Sequence, residues 1–173
     1  MADPGLMKPH SVIGLAFLIF TAAGCGPASG GKISVRSQRD YDDWFNSTSA
    51  KLSPDDARIL TTAQQEIKLE LMAHGSASGP EAIGDAYFQK INGLTVHDMM
   101  VLGLNDRLAR LKLEHDEAQR LLGDNSKIHA RAGDDASAAY VAGRVQEDRQ
   151  REEKSAAQLA ATRADLDRIN HNK

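Results

Sequence analysis

One cysteine in 173 residues leaves nothing for an intrachain disulfide to form with, and it excludes every metal site built from paired thiolates. Aromatic residues make up only 5% of the chain and β-branched runs are absent, so the alternating pattern of a sheet is missing. No apolar stretch approaches the ~20 residues that cross a bilayer. An excess of positive charge is lacking too. The formal charge is −3, which argues against nucleic-acid binding and against a polybasic lipid-binding patch. What remains is rich in Ala, Leu, Gln, Arg and carboxylates, an all-α composition.

The single cysteine, Cys25, closes an unusual stretch. An irregular start with one cation, Lys8, leads into the apolar run SVIGLAFLIF and then the small residues Ala22, Ala23 and Gly24. A weakly charged start, a short apolar segment and small residues form the layout of a secretory signal peptide over residues 1–24. Ala22-Ala23-Gly24-Cys25 resembles the bacterial lipobox, with Ala22 where leucine is usual. The resemblance implies cleavage between Gly24 and Cys25, acylation of Cys25, and attachment to a membrane of the bacterial envelope. It also implies the outer membrane, facing the periplasm, because Gly26 rather than aspartate follows the cysteine. Two or three acyl chains hold far better than the marginal grip of one. Residues 25–36, rich in Gly, Ser and Pro, read as the lipidated cysteine and a flexible tether.

Helix punctuation divides the rest into a small helical domain, 37–123, and a charged helical tail, 124–173. Ser37 with Asp40 caps a short helix on which Tyr41, Trp44 and Phe45 share a face. Trp44 and Phe45 read as core, since a domain so poor in aromatics needs them inside. Ser53-Pro54-Asp55-Asp56 opens a second helix, with Leu60, Ala63, Ile67 and Leu71 on one side and Gly75 at its end. A third runs from Pro80 to about Asn92, stopped by Gly93. Thr95 with Asp98 opens a long one, expected to stop at Gly123.

Leu94, His97, Val101, Leu104, Leu108, Leu111, His115, Ala118 and Leu122, in and just before the long helix, fall at alternating spacings of three and four. This is a coiled-coil seam with Leu108 near its centre. A second seam, Ala138, Val141, Val145, Asp148, Glu152, Ser155, Leu159, Thr162, Leu166 and Ile169, is regular but polar in its middle. Glu147 with Arg151 and Arg149 with Glu153 are expected to support it as i,i+4 pairs. The two seams predict a helical hairpin, a homo-oligomer through the same face, or a partly extended tail.

Residues 52–101 resemble a family of short bacterial lipoproteins, a domain of unknown function. Leu52-Ser53-Pro54-Asp55 matches its first motif and Ile91-Asn92-Gly93-Leu94-Thr95 its second, with Leu94 where lysine is usual. The resemblance implies a helical fold and an envelope address, and no activity.

Parts for chemistry are few. No histidine pair has the i,i+4 spacing of a helical zinc site, and His97 and His115 read as polar residues on a helix surface or in a seam. No nucleophile elbow or phosphate loop occurs. We therefore expect no catalytic, cofactor or metal residues, and read the protein as a non-enzymatic interaction or spacer module with an envelope protein as partner. Two alternatives stand: a small envelope enzyme with an unfamiliar site, and a structural lipoprotein joined to peptidoglycan through Lys173.

Overall fold

The computed structural model describes residues 31–75, 79–131 and 133–171. Its helices are α1 (Gln38–Ser49), α2 (Pro54–Ala73), α3 (Pro80–Ile91), α4 (Val96–Asn125) and α5 (Asp135–His171). No strand occurs among the described residues, and the fold is all-α. Hydroxyl caps begin three of the helices as the sequence predicts. Ser37 Oγ accepts from the Asp40 amide at 3.2 Å, and Ser53 Oγ from that of Asp56 at 3.1 Å. Thr95 and Asp98 form a reciprocal capping box, and the Thr95 hydroxyl and amide hold the Asp98 carboxyl below its usual range. Gly93, with φ +86°, turns the chain between α3 and α4, a conformation that costs glycine little.

Packing centres on α2 and α4. They run side by side in the same direction, because Ala63 meets Gly103 while Glu66, further along α2, meets Arg110, further along α4. At Gly103 the α4 backbone lies directly against Ala63, its backbone included. A Cβ built there would overlap the Cα, Cβ and carbonyl oxygen of Ala63. Around this crossing lie Ile59, Leu60, Ile67, Met99 and Leu104, all fully buried. Tyr41, Tyr87, Phe88 and Ile91 close the core from α1 and α3. Trp44 and Phe45 pack on it half-buried, and Tyr41, at 2% exposure, is the α1 residue that goes in deepest.

α5 folds back along α4 as an antiparallel hairpin. Asn125 at the end of α4 bonds Asp148, His115 bonds Ser155, and Ile169 joins the main apolar cluster, to which Val96 at the start of α4 also belongs. Residues 124–173 are thus no separate tail where they are described. Arg58 and Asp165, and Arg168 with Asp55 and Asp56, fasten the end of α5 to the start of α2.

The structure corrects several expectations. α4 passes through Gly123 and ends at Asn125. A mid-helix glycine costs only about 1 kcal/mol, and the Asn125–Asp148 contact holds the last turn. The deepest seam positions are Leu104, Leu111 and Ala118, while Leu108 is half-buried. Arg151 approaches Asp148, and Glu147 pairs with Arg144, because Asp148 lies inside the seam and draws the nearer cation. Of the tether expected over 25–36, residues 33–36 belong to the body: Ile33 and Val35 are each 1% exposed.

Replacing Gly103 with alanine should push α2 and α4 apart and lower stability by about 1–3 kcal/mol in a denaturant titration. Leu104→Ala should cost about 2–5 kcal/mol. Leu108→Ala should cost less than half as much as Leu104→Ala, the reverse of the order implied by the heptad centre.

Candidate functional site

Four polar arrangements are assembled from residues far apart in sequence. The first is a latch. The main chain of Ile33 donates to Leu94 O at 2.8 Å and accepts from the Gly93 amide at 2.9 Å. Two residues on, the Asn92 side-chain amide pairs with the Val35 main chain, donating from Nδ2 and accepting at Oδ1, both at 2.8 Å. Ile33 and Val35 enter the core and Ser34 faces solvent. This is the two-residue alternation of an added strand, laid against the α3–α4 junction. Asn92 can do this because α3 ends there in an extended conformation, φ −59° and ψ 132°, which frees its side chain from helix crowding.

The second is a charge network on α2, α3 and α4. Glu66 is 5% exposed and takes both carboxylate oxygens to Arg110, at 2.8 Å from Nε and 2.5 Å from Nη2. Arg107 stands 3.9 Å away and Glu114 bonds the other side of Arg110. The Glu66 bond raises the Arg110 pKa above its ordinary value, so the guanidinium is permanently charged. Beside it Lys90 holds Glu70 at 2.7 Å and reaches Asp106 at 3.7 Å. The Lys90 hydrogen bond keeps the Glu70 carboxyl below its usual range. Burial pushes that of Asp106 up, against the pull of Lys90.

The third is the polar part of the α4–α5 seam. His115 Nδ1 lies 3.0 Å from Ser155 Oγ, and Nε2 lies 3.8 Å from a Glu152 carboxylate oxygen. Asp148, 1% exposed, accepts from Asn125 at Oδ2 while Arg151 stands 3.6 Å from Oδ1. A serine, a histidine and a carboxylate in contact invite a hydrolase comparison, and the geometry argues against it. Ser155 gives its hydroxyl proton to the Glu152 carbonyl at 2.9 Å and is 6% exposed. Mid-helix amides around it are spent on helix bonds, so no donors are free for a developing oxyanion. An open groove of about 480 Å³ runs alongside, lined by Arg110, Glu114, Arg151 and Lys154 over Ala118 and Leu121. Arg110 already serves Glu66 and Glu114 there.

A fourth pair is buried and neutral. Tyr87 donates to the Tyr41 hydroxyl at 3.0 Å, with Lys68 Nζ 4.9 Å from the Tyr87 ring centroid. Burial raises Tyr41 to about 12 and Tyr87 further, so neither phenol is a base at neutral pH.

Cys25, Gly24 and Lys173 lie outside the described residues. Asp55 and Asp56 face Arg168 at the α2 N-terminus, and His97 sits beside Asp98 at the start of α4. These are not brought together with His115. No group of three or more metal-ligating side chains occurs among the described residues. The latch and the Glu66–Arg110 pair were missed by sequence reasoning. Ile33 and Val35 do show the apolar-polar-apolar alternation, but it is too short to stand out in a segment of tether composition. Comparison of the chain with protein-family models, with curated proteins and with solved structures returns no match.

Asn92→Ala removes both amide contacts to Val35 and should lower stability by about 1–3 kcal/mol, with faster hydrogen exchange at the Val35 amide as its local signature. Asp106 supplies a pH test. Its folded pKa is raised, so its contribution is most favourable below its ordinary value of 3.8 and declines as pH rises through the folded value. Asp106→Asn should therefore be neutral or stabilising at neutral pH, and that benefit should vanish in acid, as read by urea titrations at the two pH values.

Proposed function

We propose that this chain is a bacterial envelope lipoprotein, held to a membrane by acyl chains on Cys25. Its helical body acts as a non-enzymatic interaction or spacer module, at the outer membrane and facing the periplasm. The observation that carries the reading is the latch. The first described residues after the lipobox-like sequence are pinned at one end of the α4–α5 hairpin, which extends about 45 Å at 1.5 Å per residue over α4. A tethered stand-off requires that arrangement: an anchor at one end and an arm at the other. The resemblance of residues 52–101 to short lipoproteins is consistent with it.

Packing favours a module over an enzyme. The centre of the body is filled by apolar side chains, and the polar clusters around it are engaged mainly with one another. Attachment to peptidoglycan through Lys173 gains no support from the fold. Ile169, near the end of α5, lies in the same apolar cluster as Ile33 of the latch, so α5 returns toward the latch and does not extend away from it.

Metabolic labelling tests the anchor. The wild type should incorporate palmitate and migrate as the cleaved form, and Cys25→Ser should take up none and lose its membrane fractionation. Unlabelled wild type with a Cys25→Ser variant still in the membrane pellet would refute the proposal. Muramidase digestion followed by mass spectrometry should find no muropeptide on Lys173.

A further inference from the structure

Asn92-Gly93 is the one Asn-Gly pair in the sequence, and both residues belong to the latch. Asparagine before glycine is the context in which an asparagine side chain most readily reacts with its own main chain. Glycine has no side chain to shield its amide nitrogen or to restrict the rotation that the reaction needs. The pair lies at the surface, with Asn92 and Gly93 both exposed. Yet each reacting group is held by the N-terminal segment. The Gly93 amide, the nucleophile, donates to Ile33 O at 2.9 Å. The Asn92 carboxamide, the electrophile, is fixed at both ends by the Val35 main chain, at 2.8 Å each. Ring closure also needs the Gly93 nitrogen swung round beside Asn92 Cβ. With ψ at 132° it stands roughly a third of a turn away.

We propose that Asn92 is a site of spontaneous deamidation, suppressed while residues 33–35 are docked, and that a released latch is thereby converted to a form that cannot close again. In the reaction the Gly93 nitrogen bonds to Asn92 Cγ, the Cγ–Nδ2 bond breaks, and the Gly93 amide proton leaves with Nδ2 as ammonia. The product is a five-membered imide. Water then opens it at either carbonyl, giving aspartate where the Cγ–N bond is cut and isoaspartate where the original peptide bond is cut. Both products lose the Nδ2 donor to Val35 O and set a carboxylate against that carbonyl oxygen. Isoaspartate also adds one carbon to the main chain ahead of Gly93 and Leu94, the groups that receive Ile33. In the lipoprotein proposed above, release lengthens the link from Cys25 to the body, from the eight positions before Ile33 to the twelve before the α1 cap Ser37. The switch itself does not depend on that anchor.

The purified full chain, kept at mildly alkaline pH, provides the test, with peptide mapping by mass spectrometry to follow conversion of Asn92. A synthetic peptide of residues 88–97 sets the unprotected rate. The wild type should convert about tenfold or more slowly than that peptide, because conversion follows the undocked fraction. The combined variant Ile33→Ser, Val35→Ser should approach the peptide's rate. Leu104→Ala, which weakens the core away from the latch, should stay near the wild-type rate while circular dichroism shows it folded. Should the combined variant lose its helicity, Ile33→Ala alone takes its place, with a smaller rise expected. Wild type that converts as fast as the peptide overturns the proposal. So does a wild-type rate in a folded latch variant, or an equal rate in Leu104→Ala and the latch variant.

The converted chain gains a negative charge and separates from its parent by ion exchange, which makes the second half of the proposal measurable. Its Val35 amide should exchange hydrogen as fast as an undocked segment, while the amides of α2 and α4 keep their wild-type protection. Equal protection of Val35 in the converted and parent chains refutes the one-way release, whatever the rate of conversion.

Discussion

The contact between Ala63 and Gly103 is the constraint on which the other placements depend. Only a residue without a side chain on α4 and a small one on α2 permit this approach. Once it is made, the parallel course of the two helices carries Glu66 to Arg110 and encloses Ile59, Leu60, Ile67 and Leu104. α3, running back between the ends of α2 and α4, then delivers Asn92 to the point where the N-terminal segment docks. α4 is much longer than α2, and the part that outruns it needs α5 as cover.

That cover is mixed in character. Leu111, Ala118 and Leu159 bury apolar surface along the hairpin, and Asp148, Ser155 and Thr162 are buried beside them. A buried carboxylate is costly unless bonded, and Asn125 with the nearby Arg151 meets only part of the need, since Asp148 Oδ1 has no hydrogen bond. Thr162 turns inward to the Gln158 carbonyl. Directional contacts of this kind contribute less than a leucine zipper would, but they set register, because a shifted α5 would leave charges buried without partners. The salt bridges from Arg58 and Arg168 close the far end of the same helix.

The latch joins the fold to the proposed role. The N-terminal segment could join the body anywhere along its surface, and it joins at the junction of α3 and α4 through four main-chain or amide hydrogen bonds and two buried side chains. The motif Ile91-Asn92-Gly93-Leu94-Thr95 acquires a purpose beyond capping. Ile91 is core, Asn92 and Leu94 receive the incoming strand-like segment, Gly93 makes the turn, and Thr95 starts α4.

Local chemistry was legible from the chain alone: the caps at Ser37, Ser53 and Thr95, the turn at Gly93, the all-α class, and both hairpin seams, of which the second is at least half-buried from Val141 to Ile169 while its expected first position, Ala138, is exposed. These depend on residues within one or two turns of one another, and sequence spacing encodes them directly. Cys25 and its neighbours likewise determined the proposed address without any fold. Tertiary structure alone decided that Gly103 is a contact rather than a weak spot, that Glu66 is buried opposite Arg110, that Gly123 does not end α4, and that Ile33 and Val35 leave a Gly- and Ser-rich stretch to join the core. Each of those outcomes depends on a partner dozens of residues away, and neither periodicity nor propensity carries the identity of that partner.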